Sequence, residues 1–408
     1  MSKLFEPGVF GAELFEFHQV SEIEQIGEPR WTALMGRDNP FTRYAFLHAL
    51  EISECVGIAS GWVPMHVMVY RDNELVAVMP MYLKTHSYGE YVFDWAWAQA
   101  YERHQLEYYP KLVSAIPFTP IGGTRIGFSD RLSMEQRQQL TVQLGDYLGQ
   151  LLEKIGGSSW HHLFHSKAEQ QLLANAGYLT RMGTQFHWHN RGYHDFDAFL
   201  AQMSSRKRKN ILKERRQILG KGLSFQFIEG QDVSTAQLQH FSRCYQATYY
   251  KRSGHSGYLN LAFFTELVAS MGDAIRLLIV SQETGQTQQI DQTEQTIVPV
   301  AAALYFVSED ILYGRYWGTL VELDGLHFET CYYQGIEYAI AHGLQTFDAG
   351  AQGEHKVLRG FEPIETYSAH EIMHDGFRVA IEDFTQQEKR QIAIYMEQLR
   401  EVLPYKKA

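Results

Sequence analysis

The sequence predicts an α/β (α+β) protein of two tandem units, each a mixed, mostly antiparallel sheet flanked by helices. Three observations carry this. A chain of 408 residues exceeds one ordinary core. The order hairpin, long helix, strand, short helix with a Gly-aromatic end, strand occurs twice. Each long helical segment also closes on glycine, the residue that most easily adopts the left-handed conformation ending a helix.

The first hairpin pairs 64–71 (PMHVMVYR) with 75–83 (LVAVMPMYL), apolar and β-branched-rich runs joined through Asp72-Asn73. A helix over 133–155 follows. There Leu140, Leu144, Leu148, Leu151 and Leu152 recur at helical spacing, and Ser133 with Gln136 can form a capping box. Gly156-Gly157 closes it. Next come a strand at 159–164, a short helix ending Ala176-Gly177-Tyr178, and a strand at 184–189. The second hairpin pairs 275–281 with 297–306 across a polar Gln/Thr loop, 282–296, expected to be exposed and mobile. The second long helix, 325–342, gathers Phe328, Cys331, Tyr332, Ile336, Ala339 and Ile340 on one face and closes at Gly343. A strand at 344–348, a short helix ending Arg359-Gly360-Phe361 and a strand at 366–373 complete the repeat. The duplication sets a boundary near 190. Residues 1–190 then hold an aromatic-rich insertion, 84–117, and residues 191–408 hold a basic helix, 204–221.

Composition bounds the function. Lys and Arg total 36 against 47 Asp and Glu, a net charge of −11, so the surface as a whole repels DNA and anionic membranes. Cys55, Cys244 and Cys331 are too scattered for a zinc site or a disulfide framework, which suits a reducing compartment. There is no signal-peptide pattern and no apolar run long enough to span a bilayer, so the expected location is the cytoplasm.

Several strings resemble a known family: Asn39-Pro40-Phe41, FDWAWAQAY (93–101), YYPKL (108–112), PFTPIGGTR (117–125), SSRKRKNI (204–211) and FDAGAQGEHKVLRGFEP (347–363). They are similar to the Fem-like, or peptidoglycan biosynthesis/recognition, proteins, whose chains carry two GNAT-like acyltransferase domains. The resemblance covers nearly the whole chain. It implies an acyl- or aminoacyltransferase acting on an amine acceptor, such as a peptidoglycan precursor, a peptide or an amino sugar. It implies no tightly bound cofactor, with acyl-coenzyme A or an aminoacyl-tRNA as donor.

Four segments are candidates for chemistry. In 117–125, Gly122 and Gly123 would let backbone approach an anion, Arg125 could pair with it, and Thr119 is a neighbouring donor. This is not the usual GNAT pyrophosphate loop, and the matching junction in the second half, 318–326, carries Glu322 and Asp324 and no base. In 204–221, eight Lys/Arg stand against one Glu from Arg206 to Lys221, a local inversion of the overall charge that attracts a polyanion, with Arg206 and Lys209 as contacts. In 347–361, Asp348 ends a strand. Glu354 or His355 could take a proton from an attacking amine, while Lys356 and Arg359 could hold a carboxylate or phosphate. In 91–111, Trp97 and other aromatics could wall a ligand, with Asp94 and Lys111 at its polar ends. Strict alternation puts Tyr313, Arg315 and Trp317 on one strand face. The resemblance makes Tyr313 a candidate general acid and Trp317 a candidate substrate contact.

The histidines, 18 in all, include His161-His162 and His187 with His189, but no carboxylate completes a metal-binding spacing, and no metal is expected. No Gly-x-Ser-x-Gly elbow or Walker loop is present. Two readings follow. One is the transferase, with positioning and charge stabilisation supplying the rate. The other is a recognition protein that keeps the fold without catalysis.

Overall fold

The computed structural model describes residues 10–12, 15–284, 296–351 and 353–406. The polar stretch expected to be mobile therefore lies outside the described residues from 285 to 295. The chain divides into two compact units, Met1–Thr184 with Glu365–Met396, and Gln185–Ile364 with Glu397–Ala408. This differs from a single cut at 190 in giving residues 365–396 to the first unit.

In the first unit, β1 (Phe10–Ala12), β2 (Phe15–Val20), β4 (His66–Arg71), β5 (Glu74–Met79) and β8 (Gly127–Phe128) make one sheet in the order β1-β2-β4-β5-β8. The β4–β5 hairpin turns at Asp72 and Asn73, both at positive φ (52° and 64°), as a tight two-residue turn demands. A second group contains β3 (Trp62–Pro64), β6 (Tyr82–Lys84), β7 (Lys111–Ser114) and β9 (Ser159–Leu163), with β7 and β9 parallel. Helix α4 (Met134–Ile155) joins those parallel strands. Its N-terminus carries the Ser133/Gln136 capping box, and Gly156 caps its end at φ 64°. The predicted apolar face of α4 is buried, and Tyr147 stacks on Phe17 with ring centroids 5.0 Å apart. Helix α5 (Lys167–Asn175) packs on α4, and the unit also contains α1 (Glu28–Met35), α2 (Tyr44–Ile52), α3 (Trp95–Arg103) and most of α12 (Asp375–Glu401). The strands β10 (Leu179–His189) and β16 (Glu362–Ile372) each contribute residues to both units, and Ser368–Ile372 of β16 pairs with β9.

In the second unit, β11 (Leu223–Glu229), β12 (Ile275–Thr284), β13 (Thr296–Val307) and β14 (Ile311–Thr319) are antiparallel neighbours in that order. Then β15 (Thr346–Asp348) runs parallel to β14 and pairs with residues 187–189 of β10. Helices α6 (Phe196–Ala201), α7 (Ser205–Leu219), α8 (Thr235–Ser253) and α9 (Leu261–Met271) precede and flank this sheet. The predicted helix over 325–342 is present but interrupted. It runs as α10 (Leu326–Phe328), a π-helical turn over Glu329–Tyr333, and α11 (Gln334–Ala341). The strand–helix–parallel-strand unit thus occurs once in each half, as β7–α4–β9 and as β14–α10/α11–β15.

Glycine sets the spacing between β14 and α8. A Cβ added at Gly318 would sit 2.0 Å from the carbonyl oxygen of Cys244, which cannot swing aside as a side chain would. Gly318→Ala is expected to push α8 off the sheet and cost about 1–3 kcal/mol or more, read as a lowered denaturant midpoint. A midpoint equal to wild type would show that the helix and strand are less closely fitted.

Two buried histidines of the first unit make a second prediction. His161 and His370 meet Nδ1 to Nδ1 at 2.6 Å, both about 1% exposed. Burial above all holds each well below the ordinary histidine range. For His161, Lys111 and Arg181 add to this; for His370, His161 and Arg181 do. Both are therefore neutral when folded and become cationic when unfolded below about pH 6.5. The unfolded chain binds the extra protons, so stability falls as pH falls from that point, by roughly 2.7 kcal/mol per pH unit for the pair. Denaturant melts between pH 7.5 and 5 check this. A midpoint flat across that range would contradict it.

Candidate functional site

The second unit carries a cavity of about 90 Å³ against β13 and β14, walled by Tyr305, Arg315, Trp317, His327, Cys331 and Ala349 among others. Its position follows from two backbone irregularities. The β13–β14 register shifts so that Leu304 faces Tyr316 while the adjacent Tyr305 faces Gly314, which makes Arg315 the inserted residue of a bulge. Opposite it, the π-helical turn inserts one residue into the covering helix and brings Cys331 to the cavity. Tyr305 donates its hydroxyl to the carbonyl of Thr330 in that turn.

The bulge overturns the alternation expected for β14. Pairing puts Tyr313 with Phe306 and Trp317 with Ala303, so the two lie on opposite faces of the sheet. Trp317 lines the cavity and meets the His327 ring edge-on at 5.2 Å. Tyr313 shares the other face with Tyr316, which packs on Tyr245 and Phe264, and it is only 5% exposed. It is therefore not placed to donate a proton into this cavity. His327 is pushed down to about 3, by burial first and then by Arg252, His355, Lys356 and Arg359, so it is a neutral wall residue.

The 347–361 segment lies beside this cavity. Asp348 is 1% exposed; one carboxylate oxygen accepts the Gly350 N–H at 2.8 Å, and the other lies 3.3 Å from His187 Nε2. Burial alone would raise its pKa, but His187, the Gly350 N–H and Lys356 together hold it below the usual carboxylate range. Lys356 is 1% exposed and donates to the Gly350 carbonyl. Burial pulls it down to about 8, partly opposed by Asp348 and reinforced by Arg315. His355 Nε2 lies 2.8 Å from the Tyr332 hydroxyl. It is held below its usual value by burial first, then by Arg359 and Lys356, so it can accept a proton at neutral pH. Glu354 is exposed at the start of the short 3₁₀ helix Glu354–Arg359.

Arg359 does not hold a substrate anion in the way its sequence context suggested. Its guanidinium bonds both oxygens of Glu214 at 2.9 and 3.1 Å and stacks 3.6 Å over Phe328. Glu214, the one acid within the basic run, also accepts the Tyr333 hydroxyl at 2.6 Å. Its neighbour Arg215 clamps Glu329 and Glu337 on the covering helix, with closest contacts of 2.7 Å to each. Helix α7 is thus tied to 347–361 through Glu214 and to the covering helix through Arg215. Its apolar side buries Ile211 and Ile218, while Arg206, Lys209, Lys213 and Arg216 remain exposed. Sequence alone gave no sign of the Glu214 and Arg215 partners, which lie more than a hundred residues away.

The remaining predicted residues belong to the first unit. Arg125 is fully buried, and its guanidinium donates to the carbonyls of Ile121, Thr124 and Leu163, so no face is turned to a pyrophosphate. Thr119 donates to its near neighbour Pro117, and Gly123 donates its N–H to the Phe164 carbonyl. Gly122 accepts from Asn39. The 117–125 loop is thus engaged in its own folding. Trp97 is likewise a core residue, 4% exposed, against His161 and His370 rather than an open wall. Lys111, fully buried, donates to Ser87 and Glu90 at 2.8 Å and to Asp94, and Asp94 also accepts from Tyr108 at 2.6 Å. Among the described residues no group of three or more His, Cys, Asp or Glu is arranged to hold a metal, and no helix is long and apolar enough to cross a membrane.

A profile of the FemAB-like family, described as peptidoglycan biosynthesis/recognition, matches residues 22–407. Among solved structures, one described as FemX is 13% identical, covers 90% of this chain and 100% of its own, and has a TM-score of 0.50. The C-terminal domain of a putative lysylphosphatidylglycerol synthetase from Agrobacterium fabrum is 11% identical, with coverages of 89% and 95% and a TM-score of 0.48. A tandem GNAT protein from the clavulanic acid biosynthesis pathway is 9% identical, with coverages of 88% and 99% and a TM-score of 0.44. At such identities the likeness to FemX concerns the fold. A search of curated protein sequences found no significant match.

Proposed function

Because the chain belongs to the FemAB-like family of peptidoglycan biosynthesis/recognition proteins, we propose that it is an acyl- or aminoacyltransferase whose reacting groups meet at the cavity of the second unit. The observation that carries this is the pairing of a bulged β14 with a π-turn around a small cavity, beside a buried lysine of near-neutral pKa and a neutral histidine. An acceptor amine attacks the donor carbonyl carbon. The new C–N bond forms, the C–O or C–S bond to the donor breaks, and the ammonium proton passes to the leaving oxygen or sulfur. His355, assisted by Tyr332, is suited to carry that proton, and Lys356 to stabilise the negative charge that develops on the carbonyl oxygen.

An aminoacyl-tRNA fits the donor side better than acyl-coenzyme A. The exposed cations of α7 form a local basic strip on an acidic protein, whereas 117–125 is engaged internally and Glu322 in the matching junction pairs with Lys251. A peptidoglycan precursor, peptide or amino sugar is the acceptor class. Purified protein is to be incubated with labelled aminoacyl-tRNA or acyl-coenzyme A and amine acceptors. Transfer from charged tRNA that weakens steeply with salt is the expected result. Alanine at Arg206, Lys209, Lys213 and Arg216 should raise KM for tRNA with little change in kcat. Donor binding with no transfer to any amine would instead make this a recognition protein.

A further inference from the structure

The first unit has a groove that the chemistry above does not use. It lies along α3 and the following 105–109 segment, with a volume of about 640 Å³. Trp95, Gln99 and Glu102 line it from one face of α3, since positions i, i+4 and i+7 share a side. Gln105, Glu107 and Tyr109 line it from the segment that follows. From Trp95 to Glu102 the helix rises about 10 Å at 1.5 Å per residue, the length of a disaccharide.

The groove is held open by a firm base. Asp94 precedes the first turn of α3 and accepts the Tyr108 hydroxyl, while Trp97 and Tyr101 on the far side of the helix are core residues. Tyr109 is held by Ser87 at 2.8 Å. Trp95 is 39% exposed and meets the exposed Tyr88 ring edge-on at 5.4 Å, so an indole is presented to solvent beside the groove. A part-exposed indole on a helix whose far side is anchored in the core is a platform for the C–H face of a sugar ring. Planar amide and carboxylate side chains suit pairs of ring hydroxyls. The lining holds two carboxylates and no lysine or arginine, so it repels anionic ligands and favours an amino group.

We propose that this groove is a glycan-binding site for a two-ring amino-sugar segment lacking acidic groups. The site lies wholly within the first unit, and the inference does not depend on the transferase reading, because binding is measured with no donor present.

Calorimetry and saturation-transfer NMR on the full chain test it with three disaccharides: β-1,4-linked glucosamine, its N,N′-diacetyl form, and a uronic-acid disaccharide. The first is expected to bind tightest, the second more weakly, and the third not at all. Trp95→Ala should weaken both binders at least about tenfold, a factor equal to about 1.4 kcal/mol. Glu102→Gln with Glu107→Gln should weaken the amino sugar about tenfold and leave the acetylated one nearly unchanged, as should added salt. All three side chains are exposed, so unchanged melting curves are expected and separate lost binding from lost folding. The site is refuted by any of three results: no saturable binding of either neutral or amino disaccharide, uronic-acid binding of equal strength, or wild-type affinity in Trp95→Ala. A lysine tripeptide that binds where the sugars do not would overturn it in favour of a cationic peptide.

Discussion

Lys111→Met should lower the stability of the first unit by about 3–5 kcal/mol, the range found when one partner of a buried ion pair is removed. Its amine is completely buried and serves Ser87, Glu90 and Asp94 at once. Glu90, pushed up to about 7 by burial despite Lys111, can take a proton and become neutral. Asp94 is held below the usual carboxylate range chiefly by Lys111 and then by the Tyr108 hydroxyl, so removing Lys111 leaves it buried without its counter-charge. At about 2–4 °C per kcal/mol for a unit of this size, the melting temperature should drop by roughly 10 °C. The triple replacement with Glu90→Gln and Asp94→Asn should recover part of that loss, since it removes the stranded charges. A single mutant with an unchanged melting point would mean that the cluster is not structural, and would return Lys111 to the list of ligand contacts.

Lys356→Met is expected to cut turnover by about 10²–10³-fold, the usual effect of deleting one group that stabilises developing negative charge. KM should change little, because the amine is 1% exposed and adds little to ground-state binding. Stability should move the other way. Burial depresses the folded-state pKa of Lys356 to about 8, so the native state disfavours its charged form. The unfolded chain binds the extra proton between about pH 8 and 10.4, and wild-type stability should therefore rise across that window. The gain is on the order of 3 kcal/mol at most and should be absent from Lys356→Met. A mutant with full turnover of an identified substrate would remove Lys356 from the chemistry. A mutant with the same rising stability profile would show that another group titrates there.

Much of the scaffold could be read directly. The Ser133/Gln136 box, the Gly156 cap, the leucine face of α4 and the Asp72-Asn73 turn are all local, set by residues within one or two turns of each other. The family resemblance likewise rested on contiguous strings. The site was only half legible. Asp348, His355 and Lys356 do gather near the cavity, but Tyr313 falls on the wrong side of β14. Alternation assumes an unbroken ladder, and the insertion at Arg315 exists only because Leu304 and Tyr305 pair across it. The π-turn was not legible either; Glu329 within it pairs with Arg215 on α7, a partner 114 residues away.

The amino-acid order alone established two repeated α/β units, their helix ends, and a basic strip on an acidic chain. Those follow from short-range periodicity, capping and summed charge. Folding in three dimensions decided which charges face solvent and which face each other. Arg125 and Arg359 look alike as sequence, yet one is enclosed by carbonyl oxygens and the other is held by Glu214. An ion's role depends on its desolvation and on its nearest opposite charge, and distant segments supply both.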